Sequence, residues 1–308
     1  MIDREKIVRQ MKSCACCPRN CGVDRTEGEK GVCRVPAEVY IARAGLHFWE
    51  EPCISGSEGS GTVFFAGCPL KCVFCQNYEV ANARAGYKVT IEELARTFLQ
   101  LQDKGALNIN LVTPTQYAPQ IGEAIKLSRD MGLELPIVYN CGGYEGVEAL
   151  RQLQGLVDVW LTDFKYINSE TAARYSRCPD YPGKAKEALA EMVRQTKENV
   201  FDPEGRMRKG IIVRHLILPG HVKEAQQLVR YLYETYGDRI WMSLMNQYTP
   251  FDRIREQFPE ISRKLTHREY NEVVDYAIDL GVENAYVQEG GTAKESFIPD
   301  FEGKGPDA

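Results

Sequence analysis

Short apolar segments alternate with helix-like segments along most of this chain, and that alternation limits its fold more than any other sequence feature. From residue 62 onward the strand-like segments lie at 62–67, 107–112, 136–140, 157–162, 210–218, 240–245 and 284–288. The helix-like segments lie near 91–104, 117–131, 145–154, 184–200, 222–236 and 267–280. Such alternation indicates βαβ units and a parallel sheet. Nearly continuous apolar strands agree, because both faces of a parallel sheet are covered.

These units predict an α/β fold, a partial (β/α)6 TIM-type barrel whose chemistry lies at the C-terminal ends of its strands. A doubly wound open sheet is the alternative, since periodicity does not separate the two. The first 60 residues combine a helical start, a cysteine-rich stretch and an alternating segment that indicates a strand or hairpin. We therefore predict a small Cys-rich N-terminal extension at 1–60, the barrel at 61–290 and a C-terminal tail at 291–308, mobile after Pro299.

Composition and charge limit the compartment and the binding partners that we expect for the protein. A formal charge of −5 provides no overall basic field for nucleic acid or an anionic membrane. The charged N-terminus has no apolar signal region, and no apolar run reaches the roughly 18–20 residues of a membrane span. We expect a cytoplasmic protein with neither nucleic acid nor membrane as partner. Seven of the eleven cysteines lie in two clusters, 14–21 and 68–75, and in a reducing compartment such clusters indicate metal binding more than disulfides.

Three cysteines directly after the first barrel strand form the most specific motif. Cys68, Cys72 and Cys75 are spaced C-x3-C-x2-C, and thiolates are ligands that suit iron–sulfur clusters. A cubane has four irons, so three local thiolates leave one iron open for a small chelating ligand. A zinc knuckle, or a site completed by a distant cysteine, is the alternative interpretation.

A second cysteine set lies in the N-terminal extension. Cys14, Cys17, Cys21 and Cys33 are spaced C-x2-C-x3-C-x11-C, enough for one site with four thiolates, and Cys16 is left over. Zinc is the simplest occupant of such a closed site. An auxiliary iron–sulfur cluster and simple packing of unmetallated thiols are the alternatives.

The loop from Cys68 to Asn77 resembles the signature of the radical S-adenosylmethionine (SAM) superfamily. Cys-x-x-Cys followed by Gln76-Asn77 is similar to the pyruvate formate-lyase activating enzyme branch, and residues 62–289 resemble its core. The Cys-Pro-Arg-x-Cys-Gly segment at 17–22 resembles the head of an uncharacterised group of activating-enzyme homologues. The resemblance implies a [4Fe–4S] cluster whose open iron is chelated by SAM. One-electron cleavage of SAM then yields a 5′-deoxyadenosyl radical that abstracts hydrogen from a substrate.

The same resemblance implies a set of cofactor-binding residues. Where the family has a Gly-Gly-Glu turn after the second strand, this chain has Thr113-Pro114-Thr115-Gln116, without the glycines or the carboxylate. Asp163 and Lys165 fit the family's Asp-x-Lys pattern at the end of the fourth strand. The alternative interpretation of these two residues is a surface ion pair worth under ~1 kcal/mol. The residues implied to contact SAM are Phe74, Asn77, Thr113, Thr115, Gln116, Asn140, Asp163, Lys165, Arg214 and Gln247.

Three functions are compatible with these motifs. The first is a radical SAM enzyme acting on a protein or peptide, including activation of a glycyl radical enzyme, since a barrel of six units leaves an open mouth. The second is a radical SAM enzyme acting on a small molecule. The third is a non-enzymatic iron–sulfur or zinc protein, which requires neither a large barrel nor an open iron. The resemblance also implies an electron donor such as flavodoxin or ferredoxin.

Overall fold

The computed structural model describes residues 2–288. The predicted tail at 291–308 lies outside this range. Along the chain the strands are β1 Val39–His47, β2 Ser60–Phe65, β3 Tyr87–Val89, β4 Ile109–Val112, β5 Ile137–Cys141, β6 Val159–Asp163, β7 Val200–Phe201, β8 Met207–Leu216, β9 Trp241–Met245 and β10 Ala285–Val287. The helices are α1 Arg4–Lys12, α2 Pro52–Ser55, α3 Tyr78–Ala81, α4 Ile91–Asp103, α5 Ala118–Asp130, α6 Val147–Gln152, α7 Ser169–Ser176, α8 Tyr181–Gln195, α9 Val222–Tyr236 and α10 His267–Asp279.

One open sheet organises the molecule. Its strand order is β10-β9-β8-β6-β5-β4-β2-β1-β3, with β7 paired to β8 outside this path. The seven strands from β2 to β10 in this order are parallel, whereas β1 and β3 are antiparallel additions at one end. The sheet does not close among the described strands, and this mixed α/β architecture confirms the predicted partial barrel.

The helices cover the sheet with apolar faces and begin at recognisable signals. Helix α4 starts at Thr90, whose hydroxyl accepts from the Glu93 backbone N–H while the Glu93 carboxylate accepts from the Thr90 N–H. Such a reciprocal cap satisfies two amide groups that the first turn leaves unpaired. Leu94 and Phe98 of α4 are fully buried, which stabilises the fold by about 1.5–3 kcal/mol for each side chain. None of the described helices is both long and apolar enough to cross a bilayer.

One predicted helix differs from the observed element. The pattern at 184–200 corresponds to α8, which begins three residues earlier and ends at Gln195. Thr196 adopts an extended conformation, with φ −103° and ψ 108°. A β-branched residue loses side-chain freedom inside a helix, and the chain proceeds from there into β7.

The N-terminal extension is part of the same sheet. Strand β1 pairs with β2 in a register that places His47 opposite Ser60, so the boundary predicted after residue 60 falls within β2 and separates two paired strands. After β1 the chain passes beneath the N-terminal ends of the parallel strands. There Ile54 packs against Val138, Leu161 and Ile212. Residues two positions apart in a strand point to the same face of the sheet. Two positions after Val138, Leu161 and Ile212 come Asn140, Asp163 and Arg214, which therefore share the face that Ile54 covers.

Candidate active site

A cavity of about 450 Å³ lies at the C-terminal ends of the parallel strands. This is where a barrel of parallel strands places its functional residues. It receives side chains from the loop after β2 and from the ends of β4, β5, β6, β8 and β9. The predicted residues that line it are Cys68, Cys72, Phe74, Cys75, Asn77, Thr113, Thr115, Asn140, Asp163, Lys165, Arg214 and Gln247.

The three cysteines of the loop face this cavity together. Gly67 precedes them with φ +83°, and a Cβ at this position would lie 2.6 Å from the Cys33 carbonyl oxygen, so only glycine fits. The outer side of the loop is fixed by α7, where the Val73 N–H donates to the Tyr175 carbonyl at 2.8 Å. The Ser176 hydroxyl donates to the Cys72 sulfur at 3.0 Å. The loop is therefore anchored from outside and leaves its inner face to the thiols.

The thiols fit an iron–sulfur cluster better than a single ion. Within residues 2–288 no three side chains of Cys, His, Asp or Glu are grouped as ligands of one metal ion, whereas the thiolates of a [4Fe–4S] cluster bind different irons. Burial raises the pKa of Cys75 to about 11. A metal is then required to displace its proton at neutral pH, because the thiolate is the ligating form.

Asp163 and Lys165 form a half-buried ion pair at the end of β6. The Lys165 ammonium donates to the Asp163 carboxylate, and the two side chains are only 19% and 15% exposed. Arg214 approaches from β8 and donates from Nε to Asp163 at 2.9 Å. Burial by itself would raise the pKa of Asp163, but the two cations hold it below its usual value. The pair is therefore not on the surface, and Asp163 is ionised at neutral pH.

Glu50 completes this network and was missed by sequence reasoning. It enters from the N-terminal extension, and its carboxylate accepts from Arg214 Nη1 at 3.1 Å and from the amides of Asn110 and Asn140 at 3.1 and 3.2 Å. Arg214 Nη2 also donates to Asn140, at 2.5 Å. Each terminal nitrogen of Arg214 thus has its own partner, which fixes the guanidinium across three strands. No local motif around Glu50 signalled this role.

A second carboxyl group missed by sequence reasoning is Glu145, which follows the glycine pair after β5. It lines the cavity and is only 2% exposed. The Thr115 hydroxyl donates to it at 2.8 Å and the Tyr139 hydroxyl at 3.3 Å. Burial raises the pKa of Glu145 to about 7. The other two carboxyl groups of the lining, Glu50 and Asp163, pair with cations, whereas Glu145 has no Lys or Arg within ion-pair distance in the described part of the chain.

Gln116 lies behind the cavity rather than in its lining. Its amide nitrogen donates to the carbonyl oxygens of Ala66 and Gly67 at 3.0 Å and of Thr113 at 2.9 Å. The side chain therefore supports the backbone that leads into the cysteine loop. Gln247 does line the cavity, and its backbone carbonyl accepts from the side-chain amide of Gln76 at 3.2 Å.

The N-terminal cysteines lie close to this loop. Cys14, Cys16 and Cys33 are buried, and Cys17 and Cys21 are half-buried. A hydrogen bond with the Cys16 thiol, together with the nearby Arg25 charge, lowers the pKa of Cys14 to about 5. Cys16, left over by the spacing, is thus the thiol that contacts Cys14. The metal site at Cys14, Cys17, Cys21 and Cys33 stays a prediction.

Comparison with known proteins agrees with the fold and identifies the family. The sequence matches the family described as the radical SAM superfamily over residues 62–232, and the chain belongs to that superfamily. Its members are enzymes that use a [4Fe–4S] cluster and SAM. An uncharacterized protein of Methanocaldococcus jannaschii is 30% identical over 286 residues, which cover 89% of this chain and 77% of that relative.

Solved structures with a related architecture include two larger proteins. SuiB of Streptococcus suis, bound to the precursor peptide SuiA, superposes with a TM-score of 0.48 at 16% identity, over 72% of this chain and 46% of that one. The FeFe-hydrogenase maturase HydG of Carboxydothermus hydrogenoformans gives a TM-score of 0.43 at 14% identity, over 76% and 58% respectively. The chain thus spans about half the length of these proteins.

Proposed function

We propose that this radical SAM enzyme modifies a protein or peptide substrate, with activation of a glycyl radical enzyme as one form of that reaction. When bound, the cluster and SAM supply a 5′-deoxyadenosyl radical that abstracts a hydrogen atom from the substrate. Cys68, Cys72 and Cys75 are the thiolates that hold the cluster. Their common position on one cavity wall is the observation that supports this assignment.

The other residues of the cavity bind and orient SAM in this proposal. Lys165 donates to Asp163 alone among its described neighbours, so its remaining N–H groups are free to reach a ligand oxygen. Arg214 has all three of its nitrogens engaged. We therefore assign Arg214 a positioning role, in which it holds Asp163 and Asn140 in place. Phe74 and Met245 provide apolar surface beside these polar groups.

The shape of the cavity supports a substrate that enters from outside the barrel. Its volume is near the lower end of the roughly 300–1,000 Å³ typical of small-molecule sites, which leaves limited room beside SAM. The lining includes Phe48 and Trp49, which are 47% and 61% exposed. Aromatic side chains are enriched where proteins contact one another. An extended peptide segment would find in these exposed rings an apolar contact surface that borders the cavity.

The cluster assignment is tested with anaerobically reconstituted protein and dithionite as reductant. We expect wild type to form 5′-deoxyadenosine from SAM, and Cys68→Ala, Cys72→Ala and Cys75→Ala each to lose that activity together with iron–sulfide absorbance. Cys53→Ala is the matched control, since Cys53 is buried outside the cavity lining. Full activity in any of the three loop variants contradicts the assignment.

The substrate class is tested by adding cell extract from the source organism in two fractions. We expect the dialysed protein fraction to accelerate 5′-deoxyadenosine formation, and protease treatment of that fraction to abolish the effect. Electron paramagnetic resonance of the same mixture detects a glycyl radical if one forms. Stimulation by the small-molecule filtrate alone contradicts a protein substrate and supports a small-molecule reaction instead.

A further inference from the structure

Four cations cluster on the outer side of the cysteine loop, and we call them the basic patch. Arg34 and Arg177 are exposed, and Arg19 and Lys71 are half-buried. Ion pairs are numerous elsewhere, yet none of these four has a carboxylate within ion-pair distance in residues 2–288. Such a group of uncompensated cations is unusual in a chain with a net charge of −5.

Contacts to the backbone bring the segments that carry Arg19, Lys71 and Arg177 together. Arg19 Nη1 donates to the Arg177 carbonyl at 2.9 Å. The Lys71 backbone N–H points to the carbonyl of Ser176, the neighbour of Arg177, at 3.4 Å. Arg34 and Arg19 are both close enough to Lys71 for their charges to act on it. Arg177 directly follows Ser176, to whose carbonyl the Lys71 backbone points.

The basic patch lies directly against the loop that carries the thiols. Lys71 stands between Cys68 and Cys72 in sequence, and its ammonium donates to the Cys68 carbonyl at 3.2 Å. Arg19 Nε donates to the Pro69 carbonyl at 3.0 Å. The cavity occupies the opposite, inner side of this loop. A protein bound at the basic patch therefore comes next to two proposed cluster ligands without entering the substrate cavity.

One carboxylate near the basic patch is Asp180. It accepts from the Tyr144 hydroxyl at 2.8 Å, and the Arg19 guanidinium lies over the Tyr144 ring, 5.4 Å from its centre. Since none of the four cations is within ion-pair distance of a carboxylate among the described residues, this surface of a negative protein is positive. Local fields of this kind steer oppositely charged proteins into contact.

We propose that the basic patch is the docking site of an acidic one-electron carrier protein. The inference rests on the proposed function, since it takes the cluster to be held at Cys68, Cys72 and Cys75. Each encounter oxidises the carrier by one electron and reduces the bound cluster by one, with no bond or proton changed at the docking surface. Radical SAM enzymes commonly need a reductant, and the carrier meets that need here.

The test compares a protein reductant with a small one on the cluster-loaded full chain. In the double variant Arg34→Glu with Arg177→Glu, the loop cations Arg19 and Lys71 are kept. We expect the concentration of reduced flavodoxin that gives half the maximal rate of SAM cleavage to rise at least ~tenfold, because two attractive charges become repulsive. The rate with saturating dithionite should stay unchanged. Lys209→Glu, an exposed cation at the N-terminal end of β8, is the control and should match wild type with both reductants.

The quantity that decides is the ratio of the flavodoxin-driven rate to the dithionite-driven rate at subsaturating flavodoxin. An unchanged ratio in the double variant overturns the docking site and leaves the proposed function intact. If wild type cleaves no SAM with dithionite, the proposed function itself fails. Arg34→Gln with Arg177→Gln provides a milder variant, whose ratio should fall less than that of the Glu variant. If the ratio is unchanged and the protein binds single-stranded RNA that flavodoxin does not displace, the basic patch is assigned to nucleic acid instead.

Discussion

Replacing Glu145 by Gln should make the protein more stable at alkaline pH. The carboxyl group is almost fully buried and accepts from the hydroxyl groups of Thr115 and Tyr139 and from the Cys141 thiol, none of which carries a positive charge. A glutamine has nearly the same shape, and its oxygen can still accept from Thr115. The Tyr139 hydroxyl can rotate to accept from the new amide. The substitution therefore removes one titrating proton while it keeps the local packing.

The magnitude follows from the two pKa values of Glu145. Burial raises its pKa from 4.5 to about 7 in the folded chain. Because the pKa is higher in the folded state, the folded state binds the proton more tightly than the unfolded state does. The resulting contribution to the free energy of unfolding is complete below pH 4.5 and is lost as pH rises through 7. At about 1.4 kcal/mol per pKa unit the full loss is about 3 kcal/mol. About 2 kcal/mol of it falls between pH 5.5 and 8.5.

Urea unfolding of the cluster-loaded protein without SAM, at pH 5.5 and 8.5, measures this effect. We expect wild type to lose about 2 kcal/mol more than Glu145→Gln across that interval. Glu148→Gln, three residues further along and 76% exposed as a side chain, is the matched control and should follow wild type. If wild type and Glu145→Gln show equal pH dependence, Glu145 does not hold its proton in the folded protein and the reasoning is wrong.

Three further experiments test the site and its support. Lys165→Ala should weaken SAM binding about tenfold or more while the cluster absorbance remains, as equilibrium dialysis would show; unchanged affinity contradicts its role. Gly143→Ala should destabilise the fold by more than ~2 kcal/mol, because φ is +78° and a Cβ would lie 2.1 Å from the Asp163 carbonyl. Gly183→Ala, with open space in α8, should instead stabilise by ~0.5–1 kcal/mol, and urea unfolding compares them. Metal analysis of Cys14→Ala and Cys17→Ala should show loss of a metal that is distinct from the iron of the loop cluster; unchanged metal content in both variants contradicts a second site.

The fold was largely predictable because its signals are local. Apolar runs marked the central strands, and the cysteine motif was placed correctly at the end of the first of them. Asp163 and Lys165 were recognised because they stand at a strand end in a known spacing. These features depend on neighbours in the chain, and so sequence periodicity and motif spacing can identify them.

The residues that escaped prediction depend on packing between distant segments. Glu50 is 164 positions from its partner Arg214, and nothing near it in sequence shows that it is buried. Glu145 has its raised pKa because the fold buries it, and the hydrogen bonds from Thr115 and Tyr139 offset only part of that effect. Gln116 was expected to contact SAM, but spacing does not reveal which way a side chain points. Its amide points to backbone carbonyls instead.

The segment beneath the strands sets a lower limit on how far this protein can be shortened. The family match starts at residue 62, yet Glu50 neutralises Arg214 and Ile54 fills the space between the inner strands. A fragment trimmed to the matching region would remove one of the two carboxylates that pair with Arg214 and expose apolar surface. We expect such a fragment to aggregate on expression. The smallest independently folding unit therefore includes β1 and the residues that connect it to β2.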